Sequence, residues 1–130
     1  MLLAIVLLLT GCGEKEYFKQ VYLADVKEYM EQDEDGFLLV VNENDQDFQK
    51  YVKDVAENEE VVINMYNVYE SEEGAEDNSP ALPYDDFSRF NELYYVESNE
   101  VKGNLDVGGY EDMKLTEEIK HFVNLHKWSI

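Results

Sequence analysis

The sequence predicts an α/β domain, a three-layer sandwich with a mixed central sheet and helices on both faces. Three observations predict it. Phe37-Leu38-Leu39-Val40-Val41 is an unbroken apolar run bounded by turn residues, the pattern of a strand buried on both faces. Phe48, Tyr51, Val52, Val55 and Ala56 then recur on one helix face. Val61 to Val68 is a second apolar strand. Strand, helix and strand together make a βαβ unit, which calls for parallel strands and a right-handed crossover.

At the amino end, Leu2 to Leu9 is continuously apolar. It is too short for a bilayer span, which needs about 20 residues, and suits the apolar region of a signal peptide. No Lys or Arg precedes it, unlike the usual signal peptide. Leu9-Thr10-Gly11-Cys12 follows and resembles the lipobox of bacterial lipoproteins. That resemblance implies a signal peptide over 1–11, a lipidated Cys12 and tether over 12–17, and one domain over 18–130. The thiol would carry the diacylglycerol thioether, and the small residues before it would admit the signal peptidase. Two or three acyl chains anchor stably where one does not. The expected place is therefore the extracytoplasmic face of the cell membrane.

Val21-Tyr22-Leu23 reads as the first strand. Asp25 and Glu28 form a D-x-x-E capping pattern for a helix with Val26, Tyr29 and Met30 on one face. Gln32 to Gly36 is a turn. Asn42 to Asp45 is the loop after the central strand, with Asn44 or Asp45 as cap of the next helix. Asn58-Glu59-Glu60 ends that helix. The stretch from Glu70 to Pro83 is acidic and loop-like. Asp85 or Asp86 is expected to cap a short helix carrying Phe87 and Phe90. Leu93 to Val96 and Val101 to Val107 read as a hairpin closed by Gly108-Gly109. A last helix places Leu115, Ile119, Phe122, Val123 and His126 on one face, with Trp128 at its end.

The order of elements, the hairpin from Leu93 to Gly108 and the closing helix resemble the thioredoxin fold over about residues 18 to 127. Thioredoxins carry Cys-x-x-Cys between the central strand and the next helix. Here that place holds Asn42-Glu43-Asn44-Asp45. Thiol–disulfide exchange needs a thiolate and a resolving thiol, and the chain has a single cysteine, Cys12. The family's cis-proline is also replaced, by Asn91 or a near neighbour. The resemblance thus implies a redox-inactive domain with no cofactor. Its recognition surface would lie at Glu43, Asn44, Asp45, Tyr84 and Asn91, facing an envelope protein. Small lipoproteins of this kind on mobile elements suggest an exclusion or regulatory role. The alternatives are an enzyme with an unrecognised site in the acidic loops and a passive cell-envelope spacer.

Composition narrows the partners. The formal net charge is −20, from 30 acidic and 10 basic residues. Such a chain repels nucleic acid and anionic headgroups. Aromatics reach 13%, well above what disordered acidic chains carry. Asn42 to Lys53 fails as an EF-hand, because its sixth and twelfth positions are Asp47 and Lys53. His121 and His126 lie about 140° apart on a helix, so they form no two-His metal face. His126 is expected at the core edge. Tyr66, Tyr69, Tyr84, Tyr94 and Tyr95 suit either the core or a binding surface.

Overall fold

A computed structural model describes residues 15–70, 72, 84–87 and 89–129. The stretch expected to be a signal peptide, Cys12 and most of the acidic stretch after Glu70 lie outside the described residues. The element order is β1 (Phe18–Val21), α1 (Leu23–Glu31), β2 (Gly36–Val41), α2 (Phe48–Glu59), β3 (Ile63–Asn67), β4 (Glu92–Glu97), β5 (Glu100–Asp106) and α3 (Asp112–His126). One-turn 3-10 helices cover Asp85–Phe87, Val107–Gly109 and Lys127–Ser129. Among the described residues no helix is long and apolar enough to cross a membrane.

The strands form one five-stranded sheet in the order β1-β3-β2-β4-β5. β1 and β2 each run parallel to β3. β4 is antiparallel to β2, and β5 to β4. The sheet is therefore mixed, and helices cover both faces, as predicted. The central apolar run holds: Phe37 to Val41 are each 0% exposed. Its alternate residues feed two cores. Phe37, Leu39 and Val41 meet Val52, Val55, Leu115, Ile119 and Phe122 beneath α2 and α3. Leu38 and Val40 meet Val26, Tyr29, Tyr66, Phe87 and Tyr94 on the α1 side.

Several boundaries move. β1 ends at Val21 and α1 begins at Leu23. Tyr22 is the extended residue that caps α1, so Asp25 is not the cap. The Asp25 carboxylate instead accepts the Tyr22 backbone N–H at 2.9 Å, from the third helical position. α2 starts after Asp47 and has no side-chain cap, so neither Asn44 nor Asp45 caps it. α2 runs through Asn58 and Glu59 and stops at Glu60, whose φ is 53°. That left-handed residue donates its N–H to the Ala56 and Glu57 carbonyls, closing the helix end. The short helix after the acidic stretch is a single turn, Asp85–Phe87. Phe87 is buried, but Phe90 lies beyond the turn and is 43% exposed. The hairpin holds, with strands one residue longer at each side of a tight turn. Ser98 and Asn99 both take positive φ there, 55° and 63°, the geometry that matches strand twist in two-residue turns.

Gly36 opens β2 at φ 155°. A Cβ there would meet the Tyr29 ring only at ordinary contact, 3.4 Å, so it is the backbone angle, rarely adopted by other residues, that calls for glycine. The Tyr29 hydroxyl donates to the Phe37 carbonyl at 3.3 Å and accepts from Asn64 Nδ2 at 2.9 Å. Burial pushes its pKa from 10.0 up to about 12.

Candidate functional site

The site is built at the carboxyl end of β2, where open α/β sheets place ligands. The loop after Val41 turns outward, and Asp45 takes φ 61°. It continues into the first turn of α2. Opposite stand Asn91, which leads into β4, and the segment from Val107 to Asp112, which leads into α3. Between these walls lies an open groove of about 960 Å³. Glu43, Asp45, Asp47, Asp54, Glu111 and Asp112 all border it, against a single bordering lysine, Lys50. The groove is thus strongly acidic. Its floor carries Phe48, Val107 and Leu115.

Asn91 is fixed by backbone contacts on both sides. Its N–H donates to the Val40 carbonyl at 2.7 Å, and its carbonyl accepts from Val107 N–H at 3.1 Å. Its φ is 57°. Proline is locked near −65°, so this backbone is one that proline cannot adopt. Gly108 packs closely on it, 3.4 Å from the Asn91 Cβ to where a glycine Cβ would be.

The five predicted recognition residues separate into three places. Glu43, Asp45 and Asn91 meet at the groove. Asn44 leaves it: its side chain accepts from Asn67 Nδ2 at 3.1 Å and donates to Glu70 at 3.3 Å. Glu70 also accepts from Gln20 at 2.8 Å, so Asn44 belongs to a polar lattice tying β1, β3 and the loop. Tyr84 packs with the α1-side core. Its hydroxyl is bonded to the Glu31 carboxylate. Loss of surrounding water and that carboxylate push its pKa up to about 12. Tyr84 is therefore remote from the groove, because the sheet lies between the two cores.

The far wall was not legible in the sequence. The Tyr51 hydroxyl donates to Asp112 at 3.1 Å and so links α2 to the start of α3. The Asp112 carboxylate raises the Tyr51 pKa. Among the described residues no group of three or more His, Cys, Asp or Glu is arranged to hold a metal ion. His126 lies far from the groove, stacked on Tyr95 at 4.6 Å and edge-on to Phe122 at 4.8 Å. Burial lowers its pKa. Of the tyrosines singled out, Tyr66, Tyr94 and Tyr95 are buried, whereas Tyr69 is 41% exposed.

Comparison with known proteins brings out no match among family models, curated proteins or solved structures.

Proposed function

We propose that the chain is a lipoprotein held by Cys12 at the extracytoplasmic face of a membrane, with a redox-inactive, thioredoxin-like domain that binds an envelope protein. The lipobox-like Leu9-Thr10-Gly11-Cys12 supports the anchor. The strand order β1-β3-β2-β4-β5 with an antiparallel β4 supports the thioredoxin-like reading. No thiol stands after β2, where that chemistry would need one.

The single observation that carries the binding role is the acidic groove bordered by Glu43, Asp45 and Asn91. Its mouth is open and charged, and its floor is apolar, a combination that suits a basic segment with an apolar anchor residue. Complementary charge would speed encounter and make capture salt-dependent.

Crosslinking in cells tests this, with the captured protein identified by mass. Glu43→Gln with Asp45→Asn should weaken capture about tenfold, a loss on the order of 1.4 kcal/mol. Tyr84→Phe, on the other side of the sheet, should leave capture unchanged. Lys120→Ala, on the outer face of α3, should do the same. Capture lost with Tyr84→Phe and kept in the groove variant would move the binding face to the α1 side. Cys12→Ala should release the protein from the membrane fraction or leave it unprocessed.

A further inference from the structure

We infer that the end of the domain opposite the groove, carrying Leu125 and Trp128, rests in the headgroup layer of the bilayer. The inference builds on the Cys12 anchoring proposed above. Trp128 is 84% exposed and Leu125 is 63% exposed. They stand three residues apart, at the end of α3 and in the turn that extends it, so they share a side. Tryptophan favours a membrane interface, where the ring meets hydrocarbon and the indole N–H meets headgroups.

Three observations name the occupant. First, Trp128 lies where the chain enters the domain. Lys127 reaches Glu59 at the end of α2, 3.6 Å away. Lys127 and Lys15 border one depression, together with Gly36 at the start of β2. Second, the tether is short. Three residue steps separate Cys12 from Lys15, at most about 10 Å of extended chain. A lipid on Cys12 therefore holds this end against the bilayer. Third, the local charge fits. Lys127 lies over the Trp128 ring at 5.3 Å, the pairing of cation and ring found at headgroup depth. Glu34, Asp35 and Glu60 border the same depression. Mixed local charge and a net charge of −20 select zwitterionic headgroups over anionic ones. The groove then opens away from the membrane, about 20 Å further out along the six residues of β2.

Trp128 is the one tryptophan in the chain, so its emission reports on this face alone. The protein purified from cell membranes is placed in phosphatidylcholine vesicles, with or without bromine on the acyl chains. The expected result is blue-shifted emission and about a twofold loss of intensity in the brominated vesicles. Emission that bromine leaves unchanged and aqueous iodide quenches would overturn the inference. Shielding from iodide without quenching by bromine would overturn it too, since a protein would then cover the patch. Mass spectrometry of the same sample reads the lipid on Cys12. With the lipid present and bromine quenching absent, the orientation fails while the anchor stands. With no lipid on Cys12, the anchor fails and the orientation falls with it.

Discussion

Beneath α2 and α3 the sheet packs hydrocarbon and rings, with Phe37 against Tyr95 at 5.1 Å and Phe122 at 5.9 Å. On the α1 side the strands present Asn64, Glu92 and Tyr94 and the helix presents Tyr29, and each of these side chains makes a hydrogen bond. Asn64 donates to Tyr29, Glu92 accepts from Asn104, and the Tyr94 hydroxyl bonds the Arg89 backbone at 3.1 and 3.2 Å. The first face is held by close packing, so its losses scale with volume. The second adds to its apolar packing hydrogen bonds whose breakage leaves buried groups unsatisfied. One sheet thus fails in two different ways, depending on which face is disturbed.

The largest effect should come from the hydrocarbon face. Phe37→Ala removes a ring with 0% exposure and should cost about 3–5 kcal/mol in a urea titration. Phe87→Ala, on the α1 side, should cost less. Phe87 meets Tyr94 and Tyr84 edge-on at 5.0 and 6.3 Å but lies in a one-turn segment outside the sheet, where the surroundings can relax further into the space left behind. Equal costs would break the comparison.

Tyr29→Phe tests the polar face. It leaves Asn64 Nδ2 without its acceptor and should cost about 1–3 kcal/mol. It should also flatten the alkaline limb of the stability profile. The Tyr29 pKa rises from 10.0 to about 12 on folding, so the neutral phenol favours the fold. That contribution is whole below pH 10 and fades as pH climbs to about 12. Chemical denaturation across that window reads the slope, which the phenylalanine variant should lack.

A smaller effect is expected in acid. Burial holds the His126 pKa below 6.5, so the neutral imidazole favours the fold. Its contribution is present above pH 6.5 and is lost as pH falls through the lowered folded value. His126→Phe should remove that part of the acid slope while keeping the stack on Tyr95. Smallest of all is Lys114→Ala. Its exposed pair with Glu118, at 2.8 Å, is of the class that rarely registers, and the denaturation midpoint should not move.

The same contrast explains what the sequence displays. Phe37 to Val41 was legible because burial on both faces leaves an unbroken apolar run. The stripes of α2 and α3 were legible because each helix buries one side and exposes the other. Val21-Tyr22-Leu23 misled because apolar residues continue across the junction of β1 with α1, where no change of period marks the boundary. Asn44 misled because its side chain serves Asn67 and Glu70, 23 and 26 residues away, instead of its own helix. That Glu43, Asp45 and Asn91 border one groove was legible because their places after β2 and before β4 follow from the order of elements. The opposite wall was not. Tyr51 and Asp112 are 61 residues apart, and only the packing of α3 on α2 brings them together.

β5 closes one side of the sheet, and among the described residues its outer backbone edge has no strand beyond it. An open edge is a template for pairing with another copy. Along this strand Glu100, Lys102, Asn104 and Asp106 are exposed, alternating with Val101, Gly103 and Leu105. An approaching copy would meet charge at nearly every second residue, which is how natural edges discourage strand addition. The charged edge is therefore a solubility device, and Glu100→Val with Lys102→Val should turn a dispersed protein into one that accumulates as β-rich aggregate.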